Sequence, residues 1–303
     1  MLKDIYGELI LPSFKSFSEE CTKLTQLIDS YANNPNDETL KTCRKQWIQV
    51  VLTWRHCDIF NVSKYQRSFI KSKIYTIFGE ATFHSQKDKL LKAENLKAIG
   101  SIVKGINGLE YLLYSDKLEL KDFAGYASLV SKELQGLAEQ SYKIWLDSEA
   151  DFIQKSDLSF GSSIQELVNE QVRYCEEFYF KKFSYPLGYL YQVDFSIVEH
   201  HESQIAILAL KESVKVVERI FTDHFFGLLK HQSKNSKLPQ EMSQQFSDIK
   251  AALTKFDKLP KFDQEVPADL ERVFQELRKL LISIRVGVVN QLGVTVVLPN
   301  DGD

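Results

Sequence analysis

Leu40, Cys43, Trp47, Val50, Trp54 and Cys57 step along the sequence at alternating intervals of three and four residues. Only an α-helix, at about 3.6 residues per turn, lays such a series along one face as a single stripe. The period returns in Leu96, Ile99, Val103, Ile106 and Leu113, and again in Phe123, Tyr126, Val130, Leu134, Leu137 and Trp145. With 7 Pro and 13 Gly in 303 residues, little interrupts these runs. The chain is therefore expected to be all-α. At this length it exceeds one compact bundle, so two helical-bundle domains are expected.

The domain boundary is placed in the acidic, Ser- and Gly-containing stretch 147–163, giving an N-terminal bundle over 1–155 and a C-terminal bundle over 156–303. In the first, helices are expected at about 3–31, with Pro12 starting or kinking the element, then after an Asn36 or Asp37 N-cap, then at 87–114 and 120–146. Residues 61–86 read as irregular. In the second, helices are expected at about 164–180, 198–229, 240–257 and 268–291. The β-prone tail Val294–Leu298 is expected to lie extended against the bundle.

Charge narrows the function classes. The 38 basic and 41 acidic residues are well mixed and net to −3, without the clustered basic excess that phosphate backbones demand, so nucleic acid is not an expected partner. The Lys-rich run from Lys64 to Lys73 is broken by apolar residues and reads as a solvated helix face. No stretch approaches the roughly 18 apolar residues of a transmembrane helix. Lys3, Asp4 and Glu8 make the N-terminus unlike a signal peptide, which leaves either a cytoplasmic protein or an exported domain without its leader. Cys21, Cys43, Cys57 and Cys175 lack CxxC spacing and read as small buried hydrophobes, with one disulfide among the first three left open.

GxxxxGK[ST], GxGxxG, GxSxG and HExxH are all absent, so no catalytic residue is assigned. Two ligand-type clusters remain. Glu199-His200-His201-Glu202 is expected to open a helix with its carboxylates and Ser203 near the positive end of the dipole. Arg55-His56-Cys57-Asp58 spreads its side chains around a helix. The most unusual segment is Gly105-Ile106-Asn107-Gly108-Leu109-Glu110-Tyr111-Leu112-Leu113-Tyr114. Two glycines in an apolar helix cost about 1 kcal/mol each relative to Ala and imply close approach of another element. Asn107 and Glu110, three apart, share that face. The pair is either a hydrogen-bonded packing device or a binding site.

This segment resembles the GxHxxE motif, followed by Tyr-Leu-Leu-Phe, of the imelysin-like family, the peptidase M75 group of bacterial envelope proteins linked to iron uptake. The resemblance extends to Arg44, Trp47, Trp54 and Asp58, to Lys182, Pro186, Leu187 and Gly188 followed by Glu199 and Ser203, and to the terminal Asp301-Gly302-Asp303. It implies two helical bundles, a periplasmic or outer-membrane-anchored lipoprotein, and a site near the domain interface. That site would hold an iron- or haem-related ligand, an envelope protein partner, or a metal such as iron or another divalent cation, with Glu110 as its ligand. Asn107, Trp47, Trp54, Asp58, Glu199 and Ser203 would complete it. Asn107 stands where the family pattern has His, and an amide neither titrates near neutrality nor favours transition metals. The expected function is therefore binding. A metallopeptidase of the M75 type and a purely structural scaffold are the alternatives.

Overall fold

The computed structural model describes residues 1–188, 192–262 and 265–297, and among these there is no β-strand. The chain is all-α. It divides into two compact units, Leu9–Ser148 on the one hand and Met1–Glu8 with Glu149–Asp303 on the other.

In the unit Leu9–Ser148 the principal helices are α1 (Leu11–Asn33), α2 (Asp37–Asp58), α3 (Glu80–Ser85), α4 (Gly105–Tyr114) and α5 (Ala124–Leu146). Pro12 sits in the first turn of α1, where its missing N–H goes unneeded. Asn36 caps α2 by accepting from the backbone N–H groups of Glu38 and Thr39 at 3.1 and 2.9 Å. The apolar stripe of α2 is core: Cys43, Trp47, Val50, Trp54 and Cys57 are all buried. Helix α1 lies against both α2 and α5. Phe14 packs edge-on to Tyr65 at 4.9 Å and tilted to Trp145 at 5.8 Å, while Phe17 meets Trp54 at 5.1 Å.

The single helix expected over 87–114 does not form. It is replaced by a short helix Lys87–Leu91, a 3-10 turn Ser101–Val103 and α4. Gly100 is extended at φ −65°, ψ 153°, and Gly105 is left-handed at φ +66°; neither conformation continues a right-handed helix. Gly100 and Gly105, which periodicity places inside one helix, therefore separate elements.

In the other unit the principal helices are α6 (Ser163–Glu176), α7 (Ala206–Ile220), α8 (Leu238–Leu253) and α9 (Ala268–Ile282). Helix α8 packs on both α7 and α9, and α6 packs on α9. Tyr6 joins this unit through a ring contact with Phe152 at 6.3 Å. The helix expected from Val198 begins only at Ala206. Residues 199–204 form turns in which His200 and Gln204 are left-handed at φ +56° and +59°.

Helix α9 continues through a wide π-helical turn, Ser283–Val288, to Leu292, and left-handed Gly293 ends it. The tail beyond runs extended but pairs with side chains. The amides of Gln165 and Asn169 donate to the Thr295 carbonyl at 3.0 and 3.1 Å, and Val297 N–H donates to Asn169 Oδ1 at 3.1 Å. Leu298 and the Asp301-Gly302-Asp303 terminus lie outside the described residues.

All four cysteines are buried free thiols, so the disulfide left open among the first three does not form. Burial pushes the Cys43 thiol up to about 11, that of an inert core residue.

Candidate functional site

Helix α4 is set in place by close backbone contact. A Cβ on Gly105 would come within 2.4 Å of the Ile74 carbonyl oxygen and 2.9 Å of that of Lys73, and one on Gly108 would meet Val103 O at 2.6 Å. Only glycine permits that approach together with the positive φ of residue 105. Helix α4 also packs on α2 and α5. Two side chains of α2 tie it down at both ends. Trp47 donates its indole N–H to Ile106 O at 3.0 Å, and Arg44 Nε donates to Leu113 O at 2.6 Å. Tyr114 returns a hydrogen bond to Arg44 O at 2.9 Å and lies 5.2 Å beneath the Arg44 guanidinium.

Asn107 is half-buried. Its Nδ2 donates to the Thr76 carbonyl at 2.5 Å, and its Oδ1 is buried without a hydrogen-bond partner. Glu110, one turn on and on the same face, is 4% exposed. Trp54 is fully buried, stacked 6.5 Å from Tyr75 at 16° between planes, and its Nε1 also lacks a partner. The segment Tyr75–Thr76 thus touches both Trp54 and Asn107. Leaving a buried acceptor without a partner costs about 1–3 kcal/mol.

The remaining expected residues fall elsewhere. Asp58 is fully buried in an ion pair with Arg55 at 3.7 Å and with the Lys71 ammonium, which also donates to Asp58 O at 3.1 Å. Arg55 sits over the Tyr75 ring at 5.2 Å. Glu199 and Ser203 belong to the other unit. They do not start a helix as expected, because the left-handed residues His200 and Gln204 hold them in turns, where Ser203 Oγ donates to His200 O at 3.4 Å. His56 is half-buried.

Among the described residues no group of three or more His, Cys, Asp or Glu side chains could hold a metal ion. An amide oxygen and one carboxylate on α4 suit a hard cation only in part. Iron at Asn107 and Glu110 would need to arrive with other ligands already attached.

Sequence reasoning passed over one polar cluster at the edge of α4. Tyr111 Oη lies 2.8 Å from His84 Nε2 and 3.3 Å from Glu80 Oε1, while His84 Nε2 and Glu80 Oε1 are 3.4 Å apart. Lys117 Nζ reaches the same Glu80 oxygen at 2.6 Å and holds its carboxyl below the usual carboxylate range. Burial pushes the Tyr111 phenol up. The only sequence sign of this cluster is the four-residue spacing of Glu80 and His84.

The profile of the family described as Imelysin, peptidase M75, matches residues 10–281. The crystal structure of an imelysin-like protein from Psychrobacter arcticum 273-4 superposes with a TM-score of 0.85 at 17% identity, covering 98% of this chain and 96% of that one. A protein from Parabacteroides distasonis ATCC 8503, carrying the provisional name iron-regulated protein A precursor, superposes at 0.78 with 12% identity, covering 96% and 93%. At such identities the likeness is one of fold. No curated protein sequence matches the chain.

Proposed function

The chain belongs to the imelysin family, peptidase M75, and from that premise we propose that it is a non-catalytic envelope protein serving iron uptake by binding an iron- or haem-related ligand beside α4. The supporting observation is Asn107, whose amide oxygen is a buried acceptor with no partner on a helix whose backbone position two glycines secure. Glu110, on the same face, supplies negative charge. Trp47 and Trp54 form the apolar wall. In this reading the protein works in the periplasm or anchored to the outer membrane as a lipoprotein. No helix among the described residues is long and apolar enough to cross a membrane.

The amide chemistry favours binding over hydrolysis. A general base must exchange a proton near the working pH, and the side chain at position 107 does not. It can orient a donor group, and a ligand carrying its own iron coordination needs no more from it.

Equilibrium titration of the purified protein with haemin and with ferric citrate tests the reading. Binding of either ligand is expected, weakened about tenfold or more in Asn107→Ala and in Glu110→Gln, since about 1.4 kcal/mol corresponds to a factor of ten. Failure of the wild type to bind either ligand, or binding that both variants retain in full, would overturn it.

A further inference from the structure

We propose that Glu80, His84 and Tyr111 form a transition-metal site at the edge of α4, one helical turn from Asn107 and built on donor atoms that the reading above does not use. When phenols are counted with the usual ligand types, three donor atoms from two helices converge: a carboxylate oxygen, an imidazole nitrogen and a phenol oxygen. Their separations are 2.8, 3.3 and 3.4 Å. An ion bonded at about 2.1 Å spaces its neighbouring ligands about 3.0 Å apart at right angles and about 3.4 Å in a tetrahedron. The triangle already has those edges. An ion roughly 1 Å above its plane would satisfy all three bonds, again at about 2.1 Å. Three donors on one side would leave the opposite side for water or an incoming ligand.

The surroundings hold the donors in position. The Tyr111 ring is 2% exposed, stacked on Phe78 at 4.6 Å and against Phe83 at 5.1 Å, so its oxygen has little freedom. Glu80 and His84 lie one turn apart on the same face of α3, whose start is pinned by the Gly79 N–H to Ile102 O bond of 3.0 Å. Their side chains are 39% and 44% exposed, so an ion can reach them. Lys117 holds the same Glu80 oxygen at 2.6 Å, and its ammonium, 53% exposed, must swing away for a metal to take its place.

Two oxygen donors and one imidazole favour a hard or borderline ion, and a phenolate ligand favours ferric iron in particular. On binding, the Tyr111 O–H bond breaks, the proton passes to solvent and the oxygen forms the iron bond. His84 must be neutral to ligate. Affinity therefore falls as pH falls.

The test is a titration of the whole protein with ferric nitrilotriacetate, followed by visible absorption and by iron retained after desalting. One retained iron per chain with a phenolate-to-iron charge-transfer band is expected. Tyr111→Phe, which keeps the ring stack, should abolish the band. His84→Ala should weaken retention about tenfold or more, and Lys117→Ala should strengthen it. No retained iron, retained iron without the band, or a band that survives in Tyr111→Phe would overturn the proposal.

Discussion

Trp47 donates its indole N–H to the carbonyl oxygen of Ile106 across 3.0 Å, and both residues are fully buried. One side chain of α2 thereby sets the depth of α4, the helix that carries Asn107 and Glu110. Replacing Trp47 with Phe retains an apolar ring but leaves Ile106 O without this donor and opens space around the smaller side chain. A loss of about 1–3 kcal/mol is expected, from an abandoned buried acceptor plus imperfect packing. Guanidinium unfolding followed by circular dichroism measures it, and an unchanged midpoint would remove Trp47 from this role.

Glycines in this unit should respond to alanine with opposite signs. Gly105 is left-handed and its would-be Cβ lies 2.4 Å from backbone oxygen, so Gly105→Ala should destabilise by more than about 2 kcal/mol. Gly136 sits exposed within α5 with nothing near its would-be Cβ, so Gly136→Ala should stabilise by about 0.5–1 kcal/mol. Thermal unfolding of the pair beside wild type checks both signs at once.

Asp58 balances Arg55 and Lys71 in the core of the same unit. Asp58→Ala leaves the Arg55 guanidinium buried without this counter-charge, and the cost expected for breaking such a pair is about 3–5 kcal/mol. If urea unfolding shows a loss below about 1 kcal/mol, the ion pair is not what holds α2 against the segment after it.

His224 gives the other unit a pH dependence. Burial lowers its pKa from 6.5, against the opposing pull of Asp223, Glu8 and Asp4 and with the help of the N-terminal amine. A base whose folded pKa is depressed binds fewer protons folded than unfolded. Its contribution is intact above pH 6.5 and declines as the pH drops below that value, where the unfolded chain protonates first. His224→Gln should therefore flatten the fall in melting temperature between pH 7 and pH 5. An unaltered slope would show that His224 does not cause it.

The all-helical class was legible because a repeat of 3.6 residues survives any packing arrangement. The stripe from Cys43 to Cys57 is buried along its length, and Asn36 caps α2 through a hydrogen bond that depends on its immediate neighbours alone. The close approach at Gly105 was legible too, since a glycine in an apolar run has few other uses. The break before α4 was not. Periodicity runs through residues 96–113 unaltered, and only the left-handed φ of Gly105 shows that a new element starts there. The turns at 199–204 escaped for the same reason, because His200 and Gln204 carry no sequence mark of positive φ.

The site divides along the same line. The sequence by itself determined an all-α chain, an apolar motif segment with Asn107 and Glu110 on one face, and a core that takes in both tryptophans of α2. These are local properties, set by side-chain chemistry and helical spacing. Tertiary structure alone decided that Asp58 pairs with Arg55 and Lys71, that Asn107 spends its N–H on Thr76 while its oxygen stays unpartnered, and that His84 meets Tyr111 across 27 residues of chain. Hydrogen bonds and ion pairs act over about 3–4 Å, so which groups form them depends on how helices distant in sequence come to pack.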